Sequence, residues 1–252
     1  MNIGFFGDSY VDMIWHRFTN VRPLVPPDQI SWCERLLKDF NAPFICSGLG
    51  GSSQYHAIAE WQHFSQKYKF DVAIFTFTWD HRLYAATKQT ERILTANIEQ
   101  RDIELATQLD EEIQVALNHY YSKLASRESN KFCYALMVKW ILELPEQYPD
   151  TKFIFLPNTV DSQNMSKKYF DQGVLVDFAF EVLTEAEGER VGVRPFIPNR
   201  VGHLSGNTHE KVNTMIKDII VNYDSYKNKI FLVNYDRFEL KTIYTNFYPD
   251  QQ

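Results

Sequence analysis

Near the amino terminus a serine occupies a position from which it could act as a nucleophile. The tripeptide Gly7-Asp8-Ser9 directly follows the apolar run Ile3 to Phe6, a pattern that predicts a short buried strand ending in a glycine turn. Ligands of open α/β sheets bind beyond the carboxyl ends of the strands, and a serine on such a turn can present its hydroxyl to them. Gly-Asp-Ser is also an ordinary turn sequence, so the tripeptide alone leaves both interpretations open.

Three further segments carry residue types that suit acyl transfer. The glycine-rich stretch 48–53 follows a predicted strand at Pro43 to Cys46. The segment Thr78-Trp79-Asp80-His81-Arg82 lies at the carboxyl end of the apolar run that begins at Asp71. His203 precedes the last predicted helix. If the strands are parallel, the first two of these segments and Ser9 lie at one edge of the sheet, and the fold brings the histidine to the same edge.

The chemistry that these residues suggest is attack by a serine on an ester. A serine hydroxyl is scarcely ionised at neutral pH and needs a base, and the imidazole of His203 has a suitable intrinsic pKa. The oxyanion of the tetrahedral intermediate needs hydrogen-bond donors. The backbone N–H groups of Ser9 and Gly51 are candidates, because glycine lets the backbone approach closely, and Thr78 or the Trp79 indole could add a third.

The elements that must position these residues alternate between strand and helix. Short apolar strands alternating with amphipathic helices predict an α/β fold, a three-layer α/β/α sandwich around a mainly parallel sheet. Segment 83–130 is helical in period and is predicted to be a helical insertion. Segment 229–252 is an aromatic carboxyl-terminal tail that could form either a strand pair or an extended arm. All of these elements are predicted to belong to a single domain of residues 1–252. The predicted strands are Asn2 to Phe6, Pro43 to Cys46, Asp71 to Thr78 and Lys152 to Leu156; the predicted helices are Gln29 to Phe40, Gln54 to Tyr68, Lys131 to Leu144 and Asn207 to Val221.

Composition excludes several classes of function. The 252 residues are 44% hydrophobic and carry a formal charge of −6, which suits a packed domain and argues against a nucleic-acid partner. No apolar run has the length of a membrane span, and we expect neither a leader peptide nor a membrane partner. Cys33, Cys46 and Cys133 are widely spaced and are predicted to be reduced core thiols of a cytoplasmic protein. We expect no metal and no cofactor.

The order of these segments resembles that of the SGNH or GDSL hydrolase superfamily. Gly7-Asp8-Ser9 matches its first block, and Gly48-Leu49-Gly50-Gly51-Ser52-Ser53 matches its Gly-x-x-Gly-x-Ser/Thr turn. His203-Leu204-Ser205 before a helix matches its last block. The resemblance spans about residues 1–221, is strongest at both ends, and implies an SGNH-hydrolase fold, which is flavodoxin-like, with a Ser9 nucleophile, a His203 base and oxyanion donors at Gly51 and Thr78.

Two positions depart from the family pattern. Trp79 stands where the family has an oxyanion asparagine, although Asp80 is kept, and Arg200 stands where an acid should orient the histidine. Three interpretations follow: a Ser–His dyad oriented by a backbone carbonyl, a carboxylate supplied from elsewhere, or an impaired site. Asp8 and Asp80 are predicted to support the site or bind substrate, and Asp8 also suits a structural turn.

The remaining alternatives concern ligands. Trp79 and Arg82 could line a sugar-binding cleft or simply pack their loop. A dinucleotide site would use the Gly-x-Gly-x-x-Gly pattern, but Ser53 takes the third position, and His203 would have no role. The leading hypothesis is therefore an esterase or acylhydrolase acting on a small-molecule or glycan ester, such as an O-acetylated glycan or a lipid ester. A binding or structural module of the same fold is the alternative, and the sequence does not give the oligomeric state.

Overall fold

The computed structural model describes residues 1–8, 10–13, 30–49, 52–78, 84–86, 93–95, 115, 119, 123, 126–177, 206–234 and 239–245. Its helices are α1 Trp32–Asp39, α2 Gln54–Ser65, α3 Arg127–Leu142, α4 Leu144–Gln147, α5 Val160–Tyr169, α6 Gly206–Val221 and α7 Tyr223–Tyr226. Its strands are β1 Ile3–Phe6, β2 Val72–Phe77, β3 Tyr84–Ala86, β4 Ile93–Thr95, β5 Lys152–Pro157, β6 Val174–Asp177, β7 Lys229–Asn234 and β8 Glu239–Thr245.

The main sheet has six strands in the order β1-β2-β5-β6-β7-β8. The first five run parallel, and β8 pairs antiparallel with β7. Successive side chains of a strand point to opposite faces, so Phe5 and Ile74 belong to one hydrophobic cluster, whereas Phe6 and Phe75 belong to the other. Both faces are covered, which explains why these strands are continuous apolar runs in the sequence.

Helices cover the sheet on both sides. Helices α1 and α6 pack on one face through residues such as Trp32, Leu36 and Ile216. Helices α2 and α3 pack on the other face, where Trp61 meets the edge of Phe6 with ring centroids 5.3 Å apart. The predicted α/β sandwich with a mainly parallel sheet is therefore confirmed.

Two segments differ from their predicted secondary structure. Pro43 to Cys46 has no strand pairing, and a run of four residues is too short for composition alone to establish a strand. Within the predicted helical insertion, 83–130, β3 and β4 form an antiparallel pair, while α3 begins at Arg127. Short apolar runs with aromatic and β-branched residues suit either structure, so periodicity alone could not decide between them.

The carboxyl-terminal tail contributes to the main sheet. Its segments Lys229–Asn234 and Glu239–Thr245 are β7 and β8, and Ile230, Phe231 and Val233 are buried. Of the two structures considered for the tail, the strand pair is therefore the one formed by its described residues. Among the helices of the described ranges, none combines the length and apolar character that crossing a bilayer requires.

Candidate functional site

Three buried polar side chains follow three neighbouring parallel strands at one edge of the sheet. Asp8 comes after β1, Thr78 after β2 and Asn158 after β5, and each has about 1% of its surface exposed. The backbone N–H of Asn158 donates to the carbonyl of Phe77 at 2.9 Å, which keeps the ends of β2 and β5 level. These side chains therefore meet where open α/β sheets bind their ligands.

The Asp8 carboxylate joins the three strand ends. Its Oδ1 accepts from Asn158 Nδ2 at 2.8 Å and from the Tyr10 N–H at 3.2 Å, and its Oδ2 accepts from Thr78 Oγ1 at 2.8 Å. The Val11 N–H also donates to the Asp8 carbonyl at 3.1 Å. A buried carboxylate with several donors is fixed in position, so Asp8 is held rigidly at the ends of three strands.

The first two predicted loops pack closely against each other. The Gly7 carbonyl accepts from the Leu49 N–H and from Ser52 Oγ, both at 3.0 Å. A Cβ atom on Gly48 would lie 2.6 Å from the Gly7 carbonyl oxygen and 2.7 Å from that of Asp8, closer than real contacts allow. The close approach of these loops therefore requires glycine at position 48.

Hydrogen bonds hold Thr78 through both its backbone and its hydroxyl group. Its N–H donates to Gln54 Oε1 at 3.0 Å, its hydroxyl donates to Asp8, and its carbonyl accepts from Tyr134 Oη at 2.7 Å. Both donor groups of Thr78 thus already have acceptors within the protein. Its predicted role as an oxyanion donor remains a prediction, and that role would require one of these donors to change its partner.

Two buried amide atoms beside this cluster have no hydrogen-bond partner among the residues that the structure describes. Gln54 Nε2 and Asn158 Oδ1 are both enclosed and unpaired, although the other amide atom of each side chain is bonded. Unpaired buried polar atoms are rare in folded proteins and need an explanation. At this edge of the sheet they offer one donor and one acceptor.

Comparisons with known proteins give little beyond the fold. No protein-family model matches the sequence, and no curated protein matches it significantly. Among solved structures, a proposed GDSL-like lipase from Parabacteroides merdae ATCC 43184 is similar, with a TM-score of 0.49 and 14% sequence identity over 88% of this chain and 95% of that chain. A likeness at that TM-score is too weak to carry an argument about function.

Most of the predicted site lies outside the described residues. The positions concerned are Ser9, Gly51, Trp79, Asp80, Arg82 and His203. Their roles remain predictions. The structure does bring together Asp8, Thr78 and the segment that begins at Gly48, as expected for loops at one edge of a parallel sheet.

Sequence reasoning missed three residues of the cluster. Asn158 directly follows the predicted strand β5, so the rule that selected Ser9 and Thr78 could also have found it. Gln54 is the first residue of α2, and only its burial marks it. Tyr134 lies within the apolar pattern of α3, which gave no sign that its hydroxyl bonds the Thr78 carbonyl.

The histidines described within the core are structural. His209 is buried and accepts from the Trp32 N–H through Nδ1 at 3.2 Å. Burial lowers the pKa of His56 to about 4, so this imidazole is neutral at physiological pH. Within the described residues, no cluster of three or more His, Cys, Asp or Glu side chains is arranged to bind a metal.

The three thiols are free, but only two are in the core. Burial, with the nearby acids Glu34 and Asp12, holds the pKa of the Cys33 thiol well above its usual range. Burial raises the pKa of Cys46 to about 12, so neither thiol is a reactive thiolate. Cys133 is exposed, which corrects the prediction that all three thiols lie in the core: it lies on the outer side of an amphipathic helix.

Proposed function

We propose that this protein is a serine hydrolase of the SGNH type that cleaves an ester through an acyl-enzyme on Ser9. His203 is the general base in this proposal. O-acetyl groups on a glycan are the substrate that we favour, because Trp79 and Arg82 suit stacking and hydrogen bonding to a sugar. The proposal combines the motif order of the sequence with one structural observation, the buried turn at the carboxyl end of β1.

That turn supports the proposal through its connections. Asp8, the chain neighbour of Ser9, is fixed by donors from β2 and β5 and from its own turn. The segment that begins at Gly48 packs against the same turn. A nucleophile gains from a rigid support because small displacements of reacting atoms reduce the rate strongly.

The first half of the reaction forms the acyl-enzyme. Ser9 Oγ attacks the ester carbonyl carbon while its proton passes to an imidazole nitrogen of His203. The electron pair of the C=O π bond moves to the carbonyl oxygen and forms an oxyanion. When the C=O bond re-forms, the bond to the alcohol oxygen breaks, and the departing alcohol takes the proton from His203.

The second half returns the free enzyme. Water loses a proton to His203 and attacks the acyl carbon of Ser9, forming a second oxyanion. Collapse of this intermediate breaks the bond between the acyl carbon and Ser9 Oγ, which recovers its proton from His203. The acid product leaves, and no cofactor or metal is needed to balance either half.

Labelling by a fluorophosphonate tests the nucleophile. The wild-type protein should be labelled at Ser9, and an aryl acetate should be hydrolysed. Ser9→Ala should abolish labelling and reduce kcat by about 10³ or more, in the range found when the nucleophile of a serine hydrolase is removed. Ser225→Ala, at an exposed serine of α7, is the matched control and should retain full activity.

His203→Ala should slow both reactions to a similar extent, because both need a base for the Ser9 hydroxyl. Intact-mass analysis and peptide mapping locate the label. Absence of label on Ser9, together with equal turnover by wild type and Ser9→Ala, would overturn the proposal and favour a binding or structural module.

A further inference from the structure

The side-chain amide of Gln54 contains a buried donor that has no acceptor among the described residues. Gln54 has about 1% of its surface exposed, and its Nε2 has no hydrogen-bond partner. Leaving such a group unpaired costs about 1–3 kcal/mol. A non-polar side chain of similar size would avoid that cost.

The orientation of this amide follows from its other contact. The backbone N–H of Thr78 donates to Gln54 Oε1 at 3.0 Å. Since an N–H cannot donate to an NH2 group, the oxygen must face Thr78 and the NH2 must face away from it. The contact with the end of β2 therefore fixes the orientation of the amide and of its NH2 group.

Gln54 also belongs to the loops that form the candidate site. It is the first residue of α2 and directly follows the glycine-rich stretch 48–53. Through Thr78 it connects to the Asp8 carboxylate, since Thr78 Oγ1 donates to Asp8 Oδ2 at 2.8 Å. Two hydrogen bonds therefore separate the Gln54 amide from the chain neighbour of Ser9.

We propose that Gln54 Nε2 donates a hydrogen bond to the oxyanion formed during ester cleavage. In this role it replaces the side-chain amide that the SGNH pattern places at position 79, where this chain has tryptophan. Both donors of Thr78 already have acceptors. Among the described residues, the hydroxyls of Ser53 and Thr76 are also buried without a partner, but Gln54 carries an amide NH2 group like the one that the family pattern has at position 79. The proposal rests on the proposed function of Ser9.

Two substitutions separate donation to the oxyanion from the contact with Thr78. Gln54→Glu keeps an oxygen that can accept from the Thr78 N–H, and it loses the donor once its carboxyl group is ionised. Because burial raises the pKa of a carboxyl group, rates are compared at pH 8 and at about pH 9.5, where more of it is ionised. Gln54→Met keeps the length of the side chain and loses both functions. Gln62→Glu, at an exposed glutamine of the same helix, controls for the added charge.

The measurements are steady-state hydrolysis of an aryl acetate and the second-order rate of fluorophosphonate labelling, both at pH 8 and at about pH 9.5. Gln54→Glu and Gln54→Met should each lower kcat by about 10²–10³, as loss of one oxyanion donor does. KM should change little, because the oxyanion exists only after attack. Labelling should slow in parallel, and Gln62→Glu should match the wild type.

Three results are decisive. Slow Gln54→Glu and Gln54→Met proteins with wild-type circular dichroism spectra support the proposal. If Gln54→Glu is as fast as the wild type, Gln54 serves only to hold Thr78, and this proposal is overturned while Ser9 catalysis stands. If the wild type shows no Ser9-dependent labelling or turnover, the proposed function fails and this inference fails with it. Should Gln54→Met not fold, Gln54→Glu decides between the first two results.

Discussion

At the residue scale, Asp8 is the side chain that connects the parts of the candidate site. It accepts hydrogen bonds from at least three donors, which follow β1, β2 and β5 in the chain. Removal of such an acceptor leaves each buried donor without a partner, and the cost of each unpaired group is larger than the net contribution of an ordinary hydrogen bond. Asp8 should therefore be required for stability as well as for the geometry of the turn.

We expect Asp8→Ala to lower the free energy of unfolding by about 3 kcal/mol or more, because three donors lose their acceptor. Asp8→Asn should cost only about 1 kcal/mol. Its amide oxygen can take the place of Oδ1, while its NH2 group donates to the hydroxyl of Thr78, which can rotate to accept. Urea denaturation followed by circular dichroism measures the difference.

The matched control is Asp171→Ala, at an exposed aspartate between α5 and β6. Surface substitutions of this kind usually change stability by less than about 0.5 kcal/mol. Equal stability of Asp8→Ala and Asp171→Ala would show that the hydrogen bonds at the strand ends contribute nothing, contrary to the argument above.

At the element scale, the site depends on how tightly the turn after β1 packs against the segment that begins at Gly48. Gly7 has a φ of 151°, and a Cβ on it would lie within 3.1 Å of the Thr76 carbonyl oxygen. The Gly7 carbonyl is bonded by Leu49 and Ser52. The two glycines therefore allow one backbone to lie against another, which no larger residue would permit.

Gly48→Ala should displace one loop from the other. The added methyl group would lie 2.6 Å from the Gly7 carbonyl oxygen, and overpacking of this kind typically costs about 1–3 kcal/mol. We expect a loss of stability in that range in urea denaturation, together with a marked loss of Ser9 labelling. Ser47→Ala, one residue away, should change neither, and a wild-type labelling rate for Gly48→Ala would contradict the requirement for close approach.

The sequence predicted the buried strands β1, β2 and β5, because long apolar runs such as Val72–Phe77 are typical of strands in a sheet covered on both faces. It predicted no order of the strands in the sheet. It did not predict α5, Val160–Tyr169, whose interior is polar. That helix begins with a capping box in which Thr159 Oγ1 accepts from the Ser162 N–H and Ser162 Oγ accepts from the Thr159 N–H. Such a signal is local and easily missed where hydrophobic periodicity is weak.

The candidate site was predictable only to the level of which loops meet. The carboxyl-edge rule placed Asp8 and Thr78 together, and the structure agrees. The rule could not show that Gln54 bonds the Thr78 N–H or that Tyr134 bonds its carbonyl. Contacts of this kind depend on side-chain reach and burial between elements distant in sequence, which a one-dimensional pattern does not contain.

At the scale of the whole molecule, the two layers of helices bury ionisable groups that affect stability. His56 on α2 is 6% exposed, and within the described part of the chain its Nδ1 has no hydrogen-bond partner. Burial penalises the charged imidazolium and lowers the pKa of His56 from 6.5 to about 4. The same helix also half-buries Glu60, and this partial burial raises the pKa of its carboxyl group. The effect of Glu60 on stability therefore has the opposite dependence on pH.

The sign of the His56 effect follows from proton binding. Below pH 6.5 the unfolded chain binds a proton at His56, whereas the folded protein does not until about pH 4. This contribution to stability is therefore fully present above pH 6.5 and is lost as the pH falls towards 4. At pH 5 the loss should be about 2 kcal/mol, at 1.36 kcal/mol for each pH unit between 6.5 and 5.

His56→Leu and His56→Gln remove this proton-binding site and should make the protein less sensitive to acid. Relative to the wild type, both variants should gain about 2 kcal/mol of unfolding free energy between pH 7 and pH 5. Because Glu60 and the other carboxyl groups are present in all three proteins, their titration largely cancels in this comparison. Urea denaturation at the two pH values measures the unfolding free energy of each protein. An equal change in this free energy for the wild type and both variants would mean that His56 accepts a proton as readily in the folded protein as in the unfolded chain. Such a result would place the imidazole in contact with solvent rather than beneath the helices that cover the sheet.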